Sequence, residues 1–474
     1  MTKTKIVATL GPACIDAGIM RAMLANGVSV FRLNFSHGTI ERHAQSLNIL
    51  NSVRTGHEDT TAVMGDLCGP KVRMGRIEPE PDMLLQGDTV AIVPGNETGN
   101  AHRFCTNYQP FVSDVKPGHR VFIDDGRISL EVTGSSNNEV LCKVVVGGPV
   151  YSNKGINLPD TDVSVSAVTE HDWKCVDWSI KNDLDFLALS FVRSAGEVAE
   201  LKQYLAKAGS NIKVIAKIEK PQAVNALEEI AAVSDGVLVA RGDLGVEMDL
   251  AEVPLIQKHI TDMCKHLGKP VIVATQMLQS MIDNPVATRA EASDVANAII
   301  DGCDAVMLSG ETAVGKYPVE AVRTIGRIAH VTEAYIDKHS ERHPRTATSE
   351  ELRVTESISR SVGYVVDDIG PRLVVVWSQS GGAARLLSKA RIDVPILALS
   401  SSQRVCRQMC LDYGVKPYCL PIPGTIDEFV RVTDELLVSR ELAQPGDKVV
   451  LVAGQPLGEP GRTNTLVVHV VTGR

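Results

Sequence analysis

Residues 213–221 read KVIAKIEKP, a short apolar run that ends in charged residues and a proline. Seven further runs end in polar or glycine residues, and most precede a helical pattern: KIVATLGP (5–12), VSVFRLNFSHG (28–38), TAVMGDL (61–67), FLALSFVRS (186–194), GVLVARGD (236–243), PVIVATQM (270–277) and AVMLSGET (305–312). Continuous apolar strands that alternate with amphipathic helices indicate a parallel sheet buried on both faces. Eight such units predict an α/β fold, a (β/α)8 TIM barrel. An open doubly wound sheet is the alternative, but no G-x-G-x-x-G fingerprint follows the first strand, so the barrel is favoured.

The segment between TAVMGDL and FLALSFVRS, the third and fourth runs in chain order, has a different pattern. Over residues 70–167 short strand patterns such as TVAIVP, RISLEV and VLCKVVV are separated by turn signals such as DDGR and GSSNNE. We therefore predict an inserted all-β domain, a β-barrel, that follows a barrel strand and covers the barrel mouth as a lid. The catalytic barrel would then comprise residues 1–69 and 168–340.

A polar stretch at residues 338–351, KHSERHPRTATSEE, predicts a domain boundary. Beyond it, the runs RLVVVWS, PILALSS, KVVLVAG and TLVVHVV alternate with helical patterns. This alternation predicts a C-terminal α/β domain over residues 350–474.

The composition excludes several classes of partner. The chain has 474 residues and a net charge of −9, which argues against binding to nucleic acid or to an anionic membrane. Its ten cysteines include no C-x-x-C pair, so we expect reduced, mostly packing thiols rather than a disulfide or zinc framework. The start MTKTKIVATLGP shows no signal-peptide pattern, and no apolar run approaches the roughly 20 residues that span a bilayer. We expect a soluble cytoplasmic protein.

In a (β/α)8 barrel the active site lies at the carboxyl ends of the strands. The polar residues at these ends are Arg32, Asn34, Ser36, His37, Asp66, Lys217, Glu219, Arg241, Gly242, Asp243, Thr275, Gln276, Ser309 and Glu311. Lys217 and Glu219 lie two residues apart and share a face, so a simple ion pair at the barrel rim is one interpretation. Glu219 and Asp243 together offer two hard oxygen ligands from neighbouring strands, a donor set that suits Mg²⁺.

The loop ARGDLGVEM adds glycines and backbone N–H groups beside Asp243, which favour a bound carboxylate or phosphate. With Arg32, Arg73 and Lys217, this predicts a divalent metal ringed by cations, suited to a small, highly anionic phosphorylated substrate. No histidine accompanies the carboxylates and H-E-x-x-H is absent, so zinc is not expected. The Walker A pattern is missing, so phosphoryl transfer would not use a P-loop.

The chain resembles the pyruvate kinase family along nearly its whole length. The stretches that carry the resemblance, in the family's order, are TKIVATLGP, RLNFSHG, GDLCGPKVR, IAKIEKPQAV, VARGDLGVE, ATQMLQSM, TRAEASDVANA and MLSGETAVGKYP. The resemblance implies a catalytic barrel, a β-barrel lid, a C-terminal regulatory domain and usually a homotetramer. It also implies phosphoryl transfer from phosphoenolpyruvate to ADP, which yields pyruvate and ATP.

The resemblance also assigns roles. Lys217 would stabilise the phosphoryl group in flight, Arg32 would hold its oxygens, and Arg73 would reach the phosphates. Glu219 and Asp243 would bind Mg²⁺, for which Mn²⁺ could substitute. The substrate carboxylate would sit at Gly242, Asp243 and Thr275, with Thr275 orienting proton delivery to the enolate. The nucleotide would contact Asn34, Phe35, Ser36, His37, Arg73 and Lys154. A hydrogen-bonded structural role for His37 is the alternative.

The stretch MGDLCGPKVRMG (64–75) places Lys71 near Asp66 and Arg73. Most familiar members of the family need K⁺, held by residues that match Asn34, Ser36, Asp66 and Leu67. Those members have an acidic residue at the position of Lys71 and usually threonine at that of Leu67. The resemblance therefore implies a K⁺-independent type in which the Lys71 ammonium replaces the ion and supports catalysis. A surface bridge between Lys71 and Asp66 is the plainer alternative.

The C-terminal domain offers a second candidate site in VWSQSGGAARLLSKAR (376–391), where a strand leads into a helix. Its hydroxyls and glycines, Ser378, Ser380, Gly381 and Gly382, could cradle a phosphate, or could simply form a turn. In the family the corresponding region binds sugar-phosphate effectors, which favours an effector site. Two alternative functions for the whole chain are a metal-dependent barrel lyase or aldolase acting on pyruvate enolates, and a catalytically inactive metabolite sensor.

Overall fold

The computed structural model describes residues 2–54, 60–136, 138–339, 353–459 and 461–473. The chain begins with three strands, β1 (Lys5–Thr9), β2 (Val28–Asn34) and β3 (Ala62–Asp66), separated by α1 (Ala17–Ala25) and α2 (Ile40–Val53). Both helices start at a side-chain cap: Asp16 accepts a hydrogen bond from the N–H of Ile19, and Thr39 accepts one from that of Arg42. All three strands are apolar and pair in parallel.

The insertion after β3 is built mainly from short strands. They are β4 (Asp82–Leu84), β5 (Thr89–Pro94), β6 (Arg103–Thr106), then α3 (Phe111–Asp114), β7 (Arg120–Ile123), β8 (Ile128–Ser135), β9 (Val140–Val146), β10 (Gly148–Val150) and β11 (Ile156–Asn157). One sheet has the order β11-β7-β8-β9-β5-β6, and β10 pairs with β4. Both sheets contribute to one apolar core. The strands that the sequence patterns did not indicate, β4, β6, β10 and β11, have two to four residues, too few for a clear alternation. Closure of these sheets into a barrel stays a prediction.

The chain then returns to the barrel. Its elements are α4 (Glu170–Lys181), β12 (Phe186–Leu189), α5 (Ala195–Lys207), β13 (Lys213–Ile218), α6 (Pro221–Asn225), α7 (Leu227–Val233), β14 (Gly236–Ala240), α8 (Arg241–Glu247), α9 (Val253–His266), β15 (Val271–Ala274), a 3-10 turn (Gln279–Ile282), α10 (Arg289–Ile300), β16 (Ala305–Leu308), α11 (Gly310–Ala313) and α12 (Pro318–His339). The eight strands close in the order β1-β16-β15-β14-β13-β12-β3-β2. Closure confirms the predicted (β/α)8 fold and excludes the open sheet. Inward side chains such as Val7, Met64 and Ile215 fill the barrel.

The C-terminal unit is a second α/β layer structure. It consists of α13 (Arg353–Ile369), β17 (Val374–Trp377), α14 (Gly382–Lys389), β18 (Ile396–Ser400), α15 (Gln403–Met409), β19 (Val415–Cys419), α16 (Ile426–Ser439), β20 (Lys448–Ala453) and β21 (Thr465–Val470). The strand order is β19-β18-β17-β20-β21, with β21 antiparallel. The sequence reading missed β19 because it is short and contains Pro417, which an edge strand tolerates. Most of the predicted boundary, residues 340–351, lies outside the described residues.

Buried ion pairs attach the C-terminal unit to the amino ends of the barrel strands. Asp304, just before β16, accepts a 2.6 Å hydrogen bond from Nζ of Lys389 and a 3.2 Å bond from Arg391. Asp185, just before β12, accepts a 2.7 Å bond from Nε of Arg407. The C-terminal unit therefore does not cover the carboxyl ends of the strands, where the active site of a (β/α)8 barrel lies, and the inserted domain lies at that end. Within the described residues, no helix is both long and apolar enough to span a bilayer.

Candidate active site

The structure brings most of the predicted strand-end residues together around one cavity. The cavity has a volume of about 120 Å³ and opens at the carboxyl ends of the barrel strands. Its lining residues are Arg32, Asn34, Ser36, Lys71, Ser190, Phe191, Lys217, Glu219, Leu238, Ala240, Asp243, Thr275, Met307 and Ser309. Seven of the eight strands, or the loops that follow them, thus supply polar groups to one small volume.

A compact cluster of opposite charges forms the floor of this cavity. Nζ of Lys217 lies 2.9 Å from Oε1 of Glu219 and 3.3 Å from Oδ1 of Asp66. Oδ2 of Asp66 accepts a 2.6 Å hydrogen bond from Nε of Arg32. Burial alone would raise the pKa of Asp66, but the charges of Lys217 and Arg32 outweigh burial and hold this pKa below its usual range.

Lys217 remains a cation despite its burial. Burial opposes its charged form, but Asp66 and Glu219 raise the pKa of Lys217 above the ordinary lysine value. The ion pair between Lys217 and Glu219, one of the two interpretations of their spacing, is thus present. This ion pair uses one carboxylate oxygen of Glu219. The other, Oε2, accepts a 2.6 Å hydrogen bond from the N–H of Phe191.

Asp243, in the first turn of α8, is the second carboxylate expected to bind metal. Burial and the neighbouring charge of Glu219 raise the pKa of Asp243 to about 7. A divalent cation between the two carboxylates would remove this repulsion, so their chemistry fits Mg²⁺. No group of three or more histidine, cysteine, aspartate or glutamate side chains is arranged for a metal in the described ranges. A Mg²⁺ site with two carboxylates leaves its other positions to water and substrate.

Thr275, which lines the cavity, is hydrogen-bonded to Gly242. Oγ1 of Thr275 donates a 2.6 Å hydrogen bond to the carbonyl of Ala274 and accepts a 2.7 Å bond from the N–H of Gly242. Thr275 has φ = 69° and Gln276 has φ = 56°. The left-handed region is costly for a β-branched residue, and such strain concentrates at functional sites.

A larger cavity of about 320 Å³ lies between the inserted domain and the barrel. Its lining includes Lys71, Arg73, Lys154 and Asp243. Arg73 donates a 2.9 Å hydrogen bond to the carbonyl of Asn153, and Lys154 lies 2.8 Å from Asp124. The lining holds five cations in all, the other two being Arg193 and Lys220, against three aspartates, and this excess of positive charge suits a polyanionic ligand.

The segment from Asn34 to His37 borders the smaller cavity through Asn34 and Ser36. Oδ1 of Asn34 accepts a 3.1 Å hydrogen bond from the N–H of Ser36. Loss of hydration and the positive charges of Lys71, Arg32 and Arg73 lower the pKa of His37, which favours a neutral imidazole. The ring of Phe35 packs edge-on against His43 and Trp178 in the core, so the backbone of Phe35 is what it can offer a ligand.

Lys71 is exposed and lines both cavities. The carboxylate of Asp66 is bonded to Arg32 and Lys217, and a bridge between Lys71 and Asp66 is not among the ion pairs of the described residues. The charge of Lys71 acts instead on Asp243, where it offsets a small part of the rise in pKa that burial and Glu219 cause. The backbone carbonyl of Leu67, in the expected monovalent-cation pocket, accepts a 2.7 Å bond from Oγ of Ser190.

Sequence reasoning missed some groups at the site. Ser190 follows β12 and could have been found by the same strand-end rule that gave the other candidates. Glu247 at the end of α8 accepts a 2.6 Å hydrogen bond from Lys220 and a 2.9 Å bond from Asn157 of the inserted domain. Asn157 and Glu247 lie 90 positions apart, so no local pattern could have joined them.

The second candidate site, in the C-terminal unit, combines a turn with a small cavity. Oγ of Ser378 accepts a 3.2 Å hydrogen bond from the N–H of Ala384, and Gly381 has φ = 83°, which favours glycine. Ser378, Ser380 and Gly382 line a cavity of about 40 Å³. Arg462 and Glu459 also line it and form an ion pair at 3.1 Å, and neither residue was predicted from the sequence.

Two family models match this chain, "Pyruvate kinase, barrel domain" over residues 1–322 and "Pyruvate kinase, alpha/beta domain" over residues 356–469. The chain belongs to the pyruvate kinase family. The pyruvate kinase of Mycobacterium intracellulare is 41 % identical over 469 residues, 98 % of each chain. That of Geobacillus stearothermophilus is 41 % identical over 475 residues, 99 % of this chain and 80 % of the relative. The crystal structure of a pyruvate kinase from Cryptosporidium parvum superposes with a TM-score of 0.91 at 32 % identity, covering 99 % of this chain and 96 % of that one.

Membership of the pyruvate kinase family confirms the resemblance and makes the chain a phosphotransferase. It therefore favours phosphoryl transfer over the lyase or aldolase and over the inactive sensor. The cavity at the barrel mouth, with its buried cations and two carboxylates, is the candidate site for that chemistry.

Proposed function

We propose that this chain transfers a phosphoryl group from phosphoenolpyruvate to ADP with Mg²⁺, yielding pyruvate and ATP as the last step of glycolysis, in the cytoplasm. The observation that carries the proposal is the position of the Lys217 ammonium, 2.9 Å from Glu219 in the cavity that Asp243 also lines. A loose phosphoryl transition state needs positioning and neutralisation of charge more than covalent chemistry.

The residues to which the family resemblance assigns roles have places in this proposal. Glu219 and Asp243 would hold Mg²⁺, which Mn²⁺ could replace, and the bound metal would supply positive charge at the phosphate oxygens. Lys217 and Arg32 stabilise the phosphoryl group in transfer. Gly242, Asp243 and Thr275 seat the substrate carboxylate, and Thr275 orients proton delivery to the enolate.

The nucleotide lies in the larger cavity and reaches the smaller one, which shares Lys71 and Asp243 with it. Its size of about 320 Å³ and its cations Lys71, Arg73 and Lys154 support this placement. The expected nucleotide contacts are Asn34, the backbone of Phe35, Ser36, His37, Arg73 and Lys154. We propose that residues 70–167 act as the lid over this site, residues 1–69 and 168–340 as the catalytic barrel, and residues 350–474 as the regulatory domain.

We infer a homotetramer from the family assignment and from the edge strand β21. Val468 is 49 % exposed and Val470 51 % exposed on this strand. An exposed apolar edge strand is a ready site for pairing with a second chain.

We also propose that the enzyme does not require K⁺. Asp66, the carboxylate of the expected monovalent-cation pocket, is already neutralised by Arg32 and Lys217. Lys71 lines the cavity beside Asn34 and Ser36 and acts on Asp243. Its tethered ammonium would supply there the charge that a bound K⁺ otherwise provides.

Replacing Lys217 should abolish most turnover. Lys217→Met keeps the apolar stem but removes the charge on the transferring group, so we expect kcat to fall by ~10²–10⁴. A coupled assay of ADP-dependent pyruvate formation measures this, with Lys316→Met, a change at an exposed lysine, as the matched control. Near-normal kcat in Lys217→Met would contradict the assignment.

The response to Mg²⁺ should depend on pH. Because Asp243 has a pKa of about 7 before metal binds, Mg²⁺ must displace a proton at low pH. We expect the half-saturating Mg²⁺ concentration to fall about tenfold from pH 6 to pH 8. Asp243→Asn should raise this concentration and remove its pH dependence, and Glu219→Gln should raise it too. Asp283→Asn, at an exposed carboxylate, is the control. An unchanged half-saturating Mg²⁺ concentration in both Asp243→Asn and Glu219→Gln would contradict the proposed metal site.

Activity in buffer free of K⁺ and Na⁺, with a tetraalkylammonium salt, should be close to that in K⁺. Lys71→Glu should lose activity in this buffer and regain part of it when K⁺ is added, incompletely because Leu67 remains. Lys116→Glu reverses a charge on an exposed lysine of the inserted domain and should behave as wild type in both buffers. A wild-type enzyme that is inactive until K⁺ is supplied would refute the proposal.

A sugar monophosphate or bisphosphate should lower the apparent KM for phosphoenolpyruvate by binding at Ser378, Ser380, Gly381 and Gly382. Ordinary allosteric coupling of ~1–3 kcal/mol corresponds to a shift of about 5- to 150-fold. Ser380→Asp should remove the response, because it places a negative charge in the cradle. A panel of sugar phosphates that changes neither KM, kcat nor the thermal transition would reject the effector site.

A further inference from the structure

Two buried hydroxyls support the cations of the barrel mouth, and neither was among the predicted site residues. Ser190 is 2 % exposed and follows β12; Thr9 is 3 % exposed and ends β1. Neither of these strands carries a site residue that was predicted from the sequence.

The chemistry of the partners fixes the direction of each hydrogen bond at Ser190. A carbonyl oxygen only accepts and an ammonium only donates. Oγ of Ser190 therefore donates its hydrogen to the carbonyl of Leu67, at 2.7 Å, and accepts from Nζ of Lys217, also at 2.7 Å. Its contact with Asp66 is longer, at 3.4 Å. Toward Lys217 the hydroxyl acts as an acceptor.

Thr9 repeats this arrangement at Arg32. Oγ1 of Thr9 donates to the carbonyl of Leu308 at 2.8 Å and accepts from a guanidinium nitrogen of Arg32 at 3.0 Å. In both cases the main chain of a neighbouring barrel segment takes the hydroxyl hydrogen. The lone pairs that remain are thereby aimed at the cation.

A neutral acceptor can hold a cation without cancelling its charge. Lys217 has three hydrogens, and its partners are Glu219, Asp66 and Ser190. The two carboxylates draw the ammonium by charge and weaken its effect on a phosphoryl group, whereas the hydroxyl restrains its direction only. We propose that Ser190 and Thr9 are positioning residues that aim Lys217 and Arg32 at the transferring phosphoryl group. This rests on the proposed function, in which those two cations act on that group.

Ser190→Ala tests the proposal directly. We expect kcat to fall by about 10- to 100-fold, while the KM for phosphoenolpyruvate changes by less than about threefold, because the cation stays but loses its aim. Ser190→Thr keeps the hydroxyl and should recover most of kcat. The matched control is Ser179→Ala in α4: Ser179 is fully buried and donates a 2.7 Å hydrogen bond to the carbonyl of Cys175, but it touches no cation of the site.

The second pair of variants applies the same logic to Arg32. Thr9→Val removes the hydroxyl at similar volume and should lower kcat/KM about tenfold, and Thr9→Ser should restore it. Thermal transitions are measured for every variant. If Ser190→Ala does not fold, the Thr9→Val and Thr9→Ser pair decides the question on its own.

A double variant separates this inference from the proposed function. If Ser190 acts through Lys217, then Ser190→Ala should cost nothing further in a Lys217→Ala background. An active Lys217→Ala enzyme would overturn the role of Lys217 and this inference with it. An inactive Lys217→Ala beside a fully active Ser190→Ala would overturn this inference alone, as would equal losses of kcat in Ser190→Ala and Ser190→Thr.

Discussion

The carboxylate of Asp66 lies between the two buried cations of the barrel mouth, and the charge distribution of the site depends on it. It is bonded to Arg32 on one side and lies 3.3 Å from Lys217 on the other. Two buried cations without a counter-charge would repel each other and would lack compensation for their lost hydration. With Asp66 between them, both stay charged, and the remaining carboxylates, Glu219 and Asp243, can serve a metal.

Strand register explains why Asp66 can serve both cations. It ends β3, which pairs with β2 so that Asp66 lies opposite Asn34, and with β12 so that Asp66 lies opposite Ala188. The carboxylate is thus placed between the strand that carries Arg32 and the strand that precedes Ser190. A similar arrangement occurs at the other end of the barrel, where Asp185 and Asp304 accept hydrogen bonds from cationic side chains of the C-terminal unit. There the charges are covered by protein, whereas at the mouth they line a cavity.

The sequence predicted the barrel well because its eight apolar runs have a strong and repeated pattern. The rule that parallel strands end at one edge then brought most of the candidate residues to one place without any contact being known. The same rule does not predict which of these side chains contact one another. Lys71 and Asp66 are close in sequence but not ion-paired, because Asp66 is buried among Arg32 and Lys217 while Lys71 lies on an exposed turn.

The missed residues have weaker signals for physical reasons. Ser190 and Thr9 are small hydroxyls at strand ends, where such residues are common, and their importance comes from which carbonyl and which cation they touch. Strand β19 was missed because Pro417 lowers its strand character. Glu247 is recognisable only after folding has brought Lys220 and Asn157 to it.

The short helix α8 carries both a proposed Mg²⁺ ligand and a contact with the inserted domain. Asp243 and Glu247 lie four residues apart on α8, so they share one face of it. Glu247 is bonded to Asn157 of the inserted domain, and Asp243 lines the substrate cavity. Glu247 is buried, and Lys220 is the cation that compensates its charge, which makes this contact costly to break on one side alone. One proposed Mg²⁺ ligand and one hydrogen bond to the inserted domain are thus carried by the same short helix, about one turn apart.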